Sequence, residues 1–221
     1  MQLDPDRIVV EKIGNFHVLG SRLTDVEVSE SRGVLLSELG AKEDEVRSSV
    51  TLEELKDLPV FRVYRDFFWS TGIDPTKTRP AAEALTRRIL RGRPLPRINS
   101  FVDALNLASV ETRIPFAAFD SGLVEGRLEL RFAQADERIH PIGHDRPILL
   151  RGKEIVVSDS KKLLAVYPHR DSDETKITEK TTNALVLSCG VPGIELSVIR
   201  SALDTCTSTV QRFCGGTVAP E

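Results

Sequence analysis

RINSFVDALNLASVETRIPFAAFD, residues 97–120, is the stretch that decides the fold, because a helical pattern changes here into a strand pattern. Asn99, Asp103 and Asn106 recur at spacings of four and three, so they share one face of the predicted helix. Pro115 marks the change to a strand. Two interpretations of the polar face stay open. The three side chains cap the helix and hold nearby backbone, or they form the polar floor of a pocket.

The composition is that of an ordinary folded protein, with 40% hydrophobic and 29% charged residues and a net charge of −3 over 221 residues. No apolar run approaches membrane-spanning length, and the N-terminus has no signal-peptide pattern, so we expect a cytoplasmic protein with no membrane partner. The three cysteines show no Cys-x-x-Cys spacing, and turn residues separate His140 from His144. We therefore expect no metal site and no cofactor.

Charge is distributed unevenly along the chain. Residues 1–61 carry seven Lys and Arg against thirteen Asp and Glu, whereas residues 62–97 carry nine against three. Eight of those nine are arginine, which suits bidentate phosphate contacts, although such a block is equally typical of a solvated helix face. Because the whole protein is acidic, we expect no DNA coating, and local docking of one nucleic-acid segment stays open.

Hydrophobic periodicity divides the chain into helical and strand-like regions. Strands are predicted within residues 8–28 and in several short runs from Phe116 to Leu187. Helices are predicted over residues 33–57, 59–69, 81–91 and 194–213. These patterns favour one α+β fold with a strand-rich core and helical layers, in which residues 1–60 pack on a core of residues 61–221.

Familiar catalytic motifs are absent from the sequence. It contains no Gly-x-Gly-x-x-Gly, no Gly-Lys-Ser/Thr, no Gly-x-Ser-x-Gly and no His-Glu-x-x-His. Cys189 would be nucleophilic only beside a helix N-terminus or a histidine, and a buried cysteine at a strand end is the simpler interpretation. Motifs alone therefore leave the function open.

Two runs in the middle of the chain resemble the tRNA-editing domain in the beta chain of phenylalanyl-tRNA synthetase. They are Pro-Arg-Ile-Asn-Ser-Phe-Val-Asp-Ala-Leu-Asn, residues 96–106, and Ile-Pro-Phe-Ala-Ala-Phe-Asp, residues 114–120. In that family an Asn-x-x-Val-Asp-x-x-Asn helix leads into a Pro-x-x-Ala-Phe-Asp strand. The similarity covers roughly residues 60–216, and freestanding relatives without a synthetase exist. The resemblance implies a layered α+β fold and hydrolysis, in trans, of the ester of a mischarged tRNA.

Three positions depart from the synthetase version. Ala117 replaces a histidine, Leu105 replaces a threonine, and Leu187-Ser188-Cys189 occupies the region of an expected glutamate. The polar groups that would meet the hydroxyl of tyrosine are therefore gone, which argues against mischarged tyrosine as the substrate.

In place of a glycine-rich turn, residues 169–178 form a charged loop that includes Arg170 and Asp171. Two interpretations stay open, a solvated hairpin tip and a wall of the pocket. If the loop faces the pocket, Asp171 pairs with a cationic amino-acid side chain, and some freestanding relatives are thought to edit arginine-like cargo.

The resemblance assigns candidate roles to particular residues. Asn106 is the first choice for contacting water or the carbonyl, with Asp103 and Asn99 behind it. The predicted substrate-binding residues are Ala117, Asp171, Arg170, Asn183 and Ser188. The predicted contacts to the tRNA acceptor end are Arg79, Arg87, Arg88, Arg91 and Arg97.

Two alternatives to the deacylase remain. One is a non-catalytic module that binds tRNA or an amino acid, and the other is a small-molecule hydrolase or amino-acid sensor on the same scaffold. A synthetase partner is compatible with the resemblance but not implied by it, and the oligomeric state is not predicted.

Overall fold

The computed structural model describes residues 1–219, which form an α+β fold as the sequence predicts. The helices are α1 (Arg7–Ile13), α2 (Val34–Ser49), α3 (Pro59–Ser70), α4 (Ala81–Leu90), α5 (Ser100–Thr112) and α6 (Leu196–Cys214). The strands are β1 (Val18–Thr24), β2 (Phe116–Asp120), β3 (Glu129–Phe132), β4 (Ala135–Ile139), β5 (Ile148–Arg151), β6 (Ile155–Ser158), β7 (Leu163–Val166), β8 (Arg170–Asp171), β9 (Ala184–Cys189) and β10 (Thr217–Val218). Short 3-10 turns lie at Glu54–Asp57, Ser121–Leu123 and Asp173–Thr175.

The strands form two four-stranded sheets and one hairpin. The first sheet has the order β10-β1-β9-β2, the second has the order β3-β6-β7-β8, and β4 pairs with β5. Every paired strand runs antiparallel to its neighbour. Strand β2 is therefore an edge of the first sheet, and one side of its backbone is left for contacts with other segments.

Helices cover the first sheet in a layer. Helix α6 packs on β1 and β9, α5 packs on α6, and α4 and α2 pack on α5. The main apolar core joins this layer to both sheets and includes Phe101, Phe119 and Val186, all fully buried. Within residues 1–219, no helix combines the length and apolar character needed to cross a membrane.

The switch from α5 to β2 follows the sequence pattern closely. Asn99 caps α5 by accepting a hydrogen bond from the Val102 N–H at 2.9 Å. Arg113 ends the helix in a left-handed conformation with φ of 62°, a backbone state that the last residue of a helix often adopts. The Ser109 hydroxyl then donates to the Ile114 carbonyl at 2.8 Å, which ties the connecting turn to the helix. The central stretch thus joins the helix to the strand through a short, hydrogen-bonded turn.

The strand prediction for residues 8–28 is wrong at both ends. Residues 8–10 lie in α1 because the Asp6 carboxylate accepts from the Val9 N–H at 2.7 Å and caps a helix there. Val26 and Val28 are buried but form no strand. The N–H of Val26 donates to the Thr182 carbonyl instead of joining a ladder.

The predicted helix over residues 33–57 is shorter than expected. Helix α2 ends at Ser49 because Val50 is extended, with φ of −152°. Glu43 of α2 is 5% exposed and accepts a hydrogen bond from the Leu95 N–H at 2.8 Å. This bond anchors α2 to the loop before α5.

Residues 1–60 contribute to the sheet and to the helical layer. Strand β1 lies between β9 and β10, with Leu19 opposite Ser188. The Ser31 hydroxyl donates to the carboxylate of Asp103 in α5 at 2.6 Å. Both contacts join this region to elements of residues 61–219.

Candidate active site

A cavity of about 320 Å³ lies between α5, the edge strand β2 and the chain that follows β7. Helix α5 contributes Val102, Leu105 and Asn106, whose spacing places them on one helix face. Strand β2 contributes Phe116 and Ala117. The remaining lining residues are Ala81, Ile142, Ala165, Tyr167, Pro168, His169, Arg170, Asp171 and Cys189.

Asn106 is the polar group that α5 presents to the cavity. Its side chain is half-buried, and its amide has no hydrogen-bond partner among residues 1–219. An amide carries both donors and an acceptor. Asn106 is therefore free to bind a carbonyl or a water molecule in the cavity.

Asn99 and Asp103 have structural partners and do not line this cavity. In addition to capping α5, the Asn99 amide donates to the Ile177 carbonyl at 3.4 Å. Asp103 is fully buried and accepts from the Ser31 hydroxyl at 2.6 Å and from the Ile98 N–H at 3.0 Å. Of the three predicted catalytic residues, the structure brings only Asn106 into the cavity.

Two buried tyrosines hold the end of β9 at the cavity. The Tyr64 hydroxyl donates to the Cys189 carbonyl at 2.6 Å, and the Tyr167 hydroxyl donates to the Gly190 carbonyl. Burial raises the pKa of both phenols well above the usual value, so both keep their donating proton. These bonds fix Cys189 and the start of the 167–171 segment relative to each other.

Asp171 forms one wall of the cavity. One carboxylate oxygen accepts a hydrogen bond from the N–H of Ala118, on the open edge of β2, at 3.3 Å. Burial raises the pKa of Asp171 to about 7, and this hydrogen bond opposes part of the rise. The residues from His169 to Asp171 therefore face the cavity, in agreement with the second interpretation of this loop.

His169 also lines the cavity, and burial shifts its pKa in the opposite direction to that of Asp171. Burial, together with the positive charge of Arg170, lowers the pKa of His169 to about 4. Its ring packs edge-on against Phe68 with the centroids 5.5 Å apart. The Nδ1 atom is buried and has no hydrogen-bond partner among the described residues. His169 is therefore a neutral imidazole at pH 7.

Cys189 and Arg170 complete the ionisable lining. Burial, followed by the charge of Asp171, raises the pKa of the Cys189 thiol, so the thiolate is disfavoured and the residue is a poor nucleophile. Arg170 is half-buried and has no ion-pair partner within residues 1–219. The cavity thus offers an amide, a carboxyl group, an imidazole and a guanidinium, and no activated thiol.

Two predicted substrate-binding residues lie away from the cavity. Asn183 precedes β9 at the end opposite Cys189, roughly 20 Å along an extended strand. Its amide donates to the Thr182 hydroxyl at 3.2 Å. Ser188 is fully buried, and strand alternation directs it to the face opposite Cys189. Neither residue is part of this site as the structure places it.

The predicted tRNA-binding arginines separate into two groups. Glu83 is fully buried and pairs with Arg65 at 2.9 Å and with Arg87 at 3.4 Å. Burial, then the positive charges of Arg87, Arg91 and Arg65, lowers the pKa of Arg79 despite the opposing charge of Glu83. We call Arg65, Arg79, Arg87 and Arg91 the Glu83 arginine cluster.

The other two arginines bind the chain itself. Arg88 donates from Nε to the Pro94 carbonyl at 2.6 Å. Arg97 donates to the Leu95 carbonyl at 3.1 Å and to the Glu43 carboxylate at 3.1 Å. Arg88 and Arg97 therefore bind the chain around residues 94–95 and Glu43, whereas Arg65 and Arg87 pair with Glu83.

Sequence reasoning missed three participants. Arg65 was counted in the basic block, but nothing in the sequence pairs it with a glutamate 18 residues later. His169 and Tyr167 were not expected in the cavity lining. The adjacency of His169 to Arg170 and Asp171 was the available signal, since neighbouring residues in an irregular segment can line one wall.

This chain is similar in sequence to beta subunits of phenylalanine–tRNA ligase. The profile of the B3/4 domain family matches residues 63–217. The phenylalanine–tRNA ligase beta subunit of Psychrobacter arcticus is 25% identical over 239 residues, covering 96% of this chain and 28% of that protein. The same subunit of Protochlamydia amoebophila is 30% identical over 122 residues, covering 54% of this chain and 15% of that protein.

A solved structure is also similar. It is an N-terminal fragment of the phenylalanyl-tRNA synthetase beta subunit from Pyrococcus horikoshii, with a TM-score of 0.49 and 13% identity, covering 96% of this chain and 48% of that one. The chain thus spans under a third of the length of the curated relatives that it matches.

Proposed function

The chain belongs to the B3/4 domain family, and on that basis we propose that it hydrolyses the ester bond of mischarged aminoacyl-tRNA. The curated relatives are beta subunits of phenylalanine–tRNA ligase, which supports a tRNA carrying an amino acid as the substrate class. The resemblance of residues 96–120 to the editing domain supports hydrolysis rather than synthesis. The protein would act in trans, in the cytoplasm, on the acceptor end of the tRNA.

The observation that carries the proposal is the cavity where Asn106, Ala117, Arg170 and Asp171 meet. These residues come from two separate regions of the sequence, residues 106–117 and residues 170–171, and the sequence predicts a role in the site for all four. A volume of about 320 Å³ admits an amino-acid moiety while leaving the rest of the tRNA outside. The amino acid would lie against Leu105 and Ala117, with its ester near Asn106.

The chemistry requires little from the protein, because an aminoacyl ester is already activated. Positioning a water molecule and stabilising charge on the carbonyl oxygen are enough. The Asn106 amide supplies a donor for that oxygen or for the water. His169 is neutral at pH 7, but its lowered pKa makes it a weak base, and Cys189 is not an activated nucleophile, so the proposal relies on positioning of water rather than on either side chain.

Asp171 is the candidate for choosing the amino acid. When ionised it is the one carboxylate among the cavity-lining residues described, and Arg170 lies next to it. A cationic amino-acid side chain would hold the Asp171 carboxyl in its charged form by pairing with it. We therefore propose a preference for a basic amino acid, with Asp171 as its partner.

The deciding experiment is turnover on a panel of tRNAs charged with each amino acid in turn. Release of a basic amino acid faster than the uncatalysed rate, and its loss on Asp171→Ala substitution, is the expected result. Equal rates for wild type and Asp171→Ala on every substrate would remove Asp171 from substrate choice. Absence of turnover on the whole panel would reject the deacylase.

A second candidate, a non-catalytic tRNA- or amino-acid-binding module, is favoured by one observation. Leu105 and Ala117 both line the cavity, at positions where the resembled editing domain carries a threonine and a histidine. Tight tRNA binding without turnover on the panel would support this module. Neither binding nor turnover would instead point to a small-molecule hydrolase or sensor.

A further inference from the structure

Trp69 is an aromatic side chain left in solvent at the end of α3. It is the single tryptophan of the chain and is 57% exposed. Its neighbours Phe67 and Phe68 are 4% and 0% exposed, so the two other aromatic rings in this turn of α3 are buried. An indole bears a large apolar surface, and exposing one beside buried phenylalanines leaves that surface unused by the fold.

Arginines share the helix face of Trp69. Arg65 and Arg62 precede it by four and seven residues, which places all three along one side of α3. Arg65 binds the buried Glu83 at 2.9 Å and so joins Trp69 to the Glu83 arginine cluster. Within residues 1–219, Arg62, Arg79 and Arg91 have no ion-pair partner. Five guanidinium groups thus lie on α3 or around Glu83, whose buried carboxylate pairs with two of them, and Asp66 of α3 adds one further acidic residue.

Two nitrogen atoms in the cluster lack partners although they are buried. The Nε atoms of Arg79 and Arg87 are enclosed and make no hydrogen bond among the described residues. A buried N–H without an acceptor is costly, and reorientation of these side chains toward a bound anion would supply acceptor oxygens. Excess positive charge and unsatisfied donors therefore coincide here.

Two neighbouring residues relate this surface to the cavity. Phe68, adjacent to Trp69, packs against His169 of the cavity lining with the ring centroids 5.5 Å apart. Ala81, the first residue of α4, also lines the cavity, and Arg79 lies two residues before it. A chain lying across the arginines would therefore reach the mouth of the cavity.

We propose that Trp69 stacks on an unpaired base of an RNA 3′ end while Arg62 and the Glu83 arginine cluster bind its phosphates. The inference rests on the proposed function and specifies how the RNA docks. Stacking on an aromatic ring together with phosphate binding by arginine is the usual way in which proteins hold single-stranded nucleic acid. Charge complementarity favours this occupant over an apolar protein surface, since five guanidinium groups would be desolvated against the latter.

The single tryptophan makes the test direct, because all tryptophan fluorescence comes from Trp69. The full chain is titrated with the single-stranded RNA ACCA, which matches a tRNA 3′ end, and with tripolyphosphate, which has the charge without the bases. We expect quenching by the RNA that weakens as salt rises, and no comparable quenching by tripolyphosphate. Equal quenching by both ligands, or none with RNA, would overturn the proposal.

Variants separate stacking from charge. We expect Trp69→Ala to weaken binding of end-labelled RNA about tenfold, equivalent to roughly 1.4 kcal/mol, and Trp69→Phe to weaken it less. Arg62→Ala should also weaken binding and reduce its salt dependence. Leu149, 50% exposed on β5, and Arg146 provide the matched controls Leu149→Ala and Arg146→Ala. Trp69→Ala binding RNA as tightly as Leu149→Ala would contradict the inference.

The two proposals fail in different ways. Deacylation that is undiminished in Trp69→Ala at limiting tRNA would leave the proposed function intact and remove the stacking role. RNA-dependent quenching without deacylation of any charged tRNA would leave the docking surface intact and remove the enzyme.

Discussion

The Asp171 carboxylate accepts a hydrogen bond from the backbone N–H of Ala118 at 3.3 Å. Ala118 lies in β2, whose outer edge has no strand beside it within residues 1–219. Asp171 thus satisfies a donor of an open sheet edge and at the same time presents its carboxyl group to the cavity. One side chain therefore links the fold to the chemistry of the site.

The pKa of Asp171 predicts how stability depends on pH. Because burial raises this pKa from 3.8 to about 7, the folded protein binds more protons than the unfolded chain between these values. The contribution of Asp171 to the stability of the fold is therefore fully present below pH 4 and is lost as pH rises through 7. As pH rises over this range, the free energy of unfolding of Asp171→Asn should increase relative to that of wild type by about 1–2 kcal/mol. The full pKa shift would give a larger change, but the carboxyl keeps part of its hydration.

The measurement for Asp171 is the free energy of urea unfolding of both proteins from pH 4.5 to 8. His169 contributes the opposite slope, because burial lowers its pKa to about 4 and stability is lost as pH falls below 6.5. The difference between wild type and Asp171→Asn removes that shared contribution. A difference that does not change with pH would contradict the raised pKa.

Asp103 and Asn99 should affect stability rather than chemistry. Removing the Asp103 carboxylate leaves the buried Ser31 hydroxyl and the partly buried Ile98 N–H without this acceptor. We expect Asp103→Ala to lower the free energy of unfolding by about 3 kcal/mol, and Asn99→Ala, which loses a helix cap, to lower it by about 1 kcal/mol. Urea unfolding measures both changes.

Activity per folded molecule then distinguishes structure from catalysis. At a temperature where both variants are folded, we expect each to bind RNA and turn over substrate within about threefold of wild type. A several-hundredfold loss of turnover in folded Asn99→Ala protein would instead indicate that Asn99 has a catalytic role.

The helix–strand switch was predictable because it depends on local chemistry. Periodicity, a capping asparagine and Pro115 all lie within the same 24 residues, and neighbouring residues determine each signal. The α1 helix was missed because its cap, Asp6, lies outside the apolar run that suggested a strand. The α+β fold class is confirmed.

The site was less predictable because its residues depend on distant partners. Nothing near Asp103 in sequence reveals Ser31, 72 residues earlier, and nothing near Arg97 reveals Glu43, 54 residues earlier. Asn106 and Asp103 look equivalent on a helical wheel, yet one faces a cavity and the other lies in the core. The catalytic and binding roles of these residues stay predictions.

Glu83 should hold the arginine cluster together. It is fully buried between Arg65 and Arg87, and neutralising it leaves those guanidinium groups without a counter-charge. We expect Glu83→Gln to lower the free energy of unfolding by roughly 3 kcal/mol, since breaking a buried ion pair costs more than losing an exposed one. Glu53, exposed and without an ion pair among the described residues, provides the control Glu53→Gln.

Tripolyphosphate should restore part of the stability that Glu83→Gln loses, because an anion replaces the missing negative charge. Thermal unfolding with and without 1 mM tripolyphosphate measures this effect. A larger shift in Tm for Glu83→Gln than for Glu53→Gln is the expected result. Equal shifts would mean that the anion binds elsewhere on the protein.

Asn106 should be the residue whose loss affects turnover but not folding. Its side chain is half-buried and makes no hydrogen bond within residues 1–219, so Asn106→Ala should change the free energy of unfolding by under about 0.5 kcal/mol. If its amide stabilises charge on the ester carbonyl or positions water, deacylation should fall roughly 100-fold or more. Asn183→Ala, at the far end of β9, is the matched control.

Asn106→Asp then separates the donor from the acceptor, because it keeps the side-chain oxygen and removes the N–H groups. Loss of turnover in both Asn106→Ala and Asn106→Asp would mean that the side-chain N–H of Asn106 is the group that turnover requires. Full activity in Asn106→Ala would contradict the proposed site.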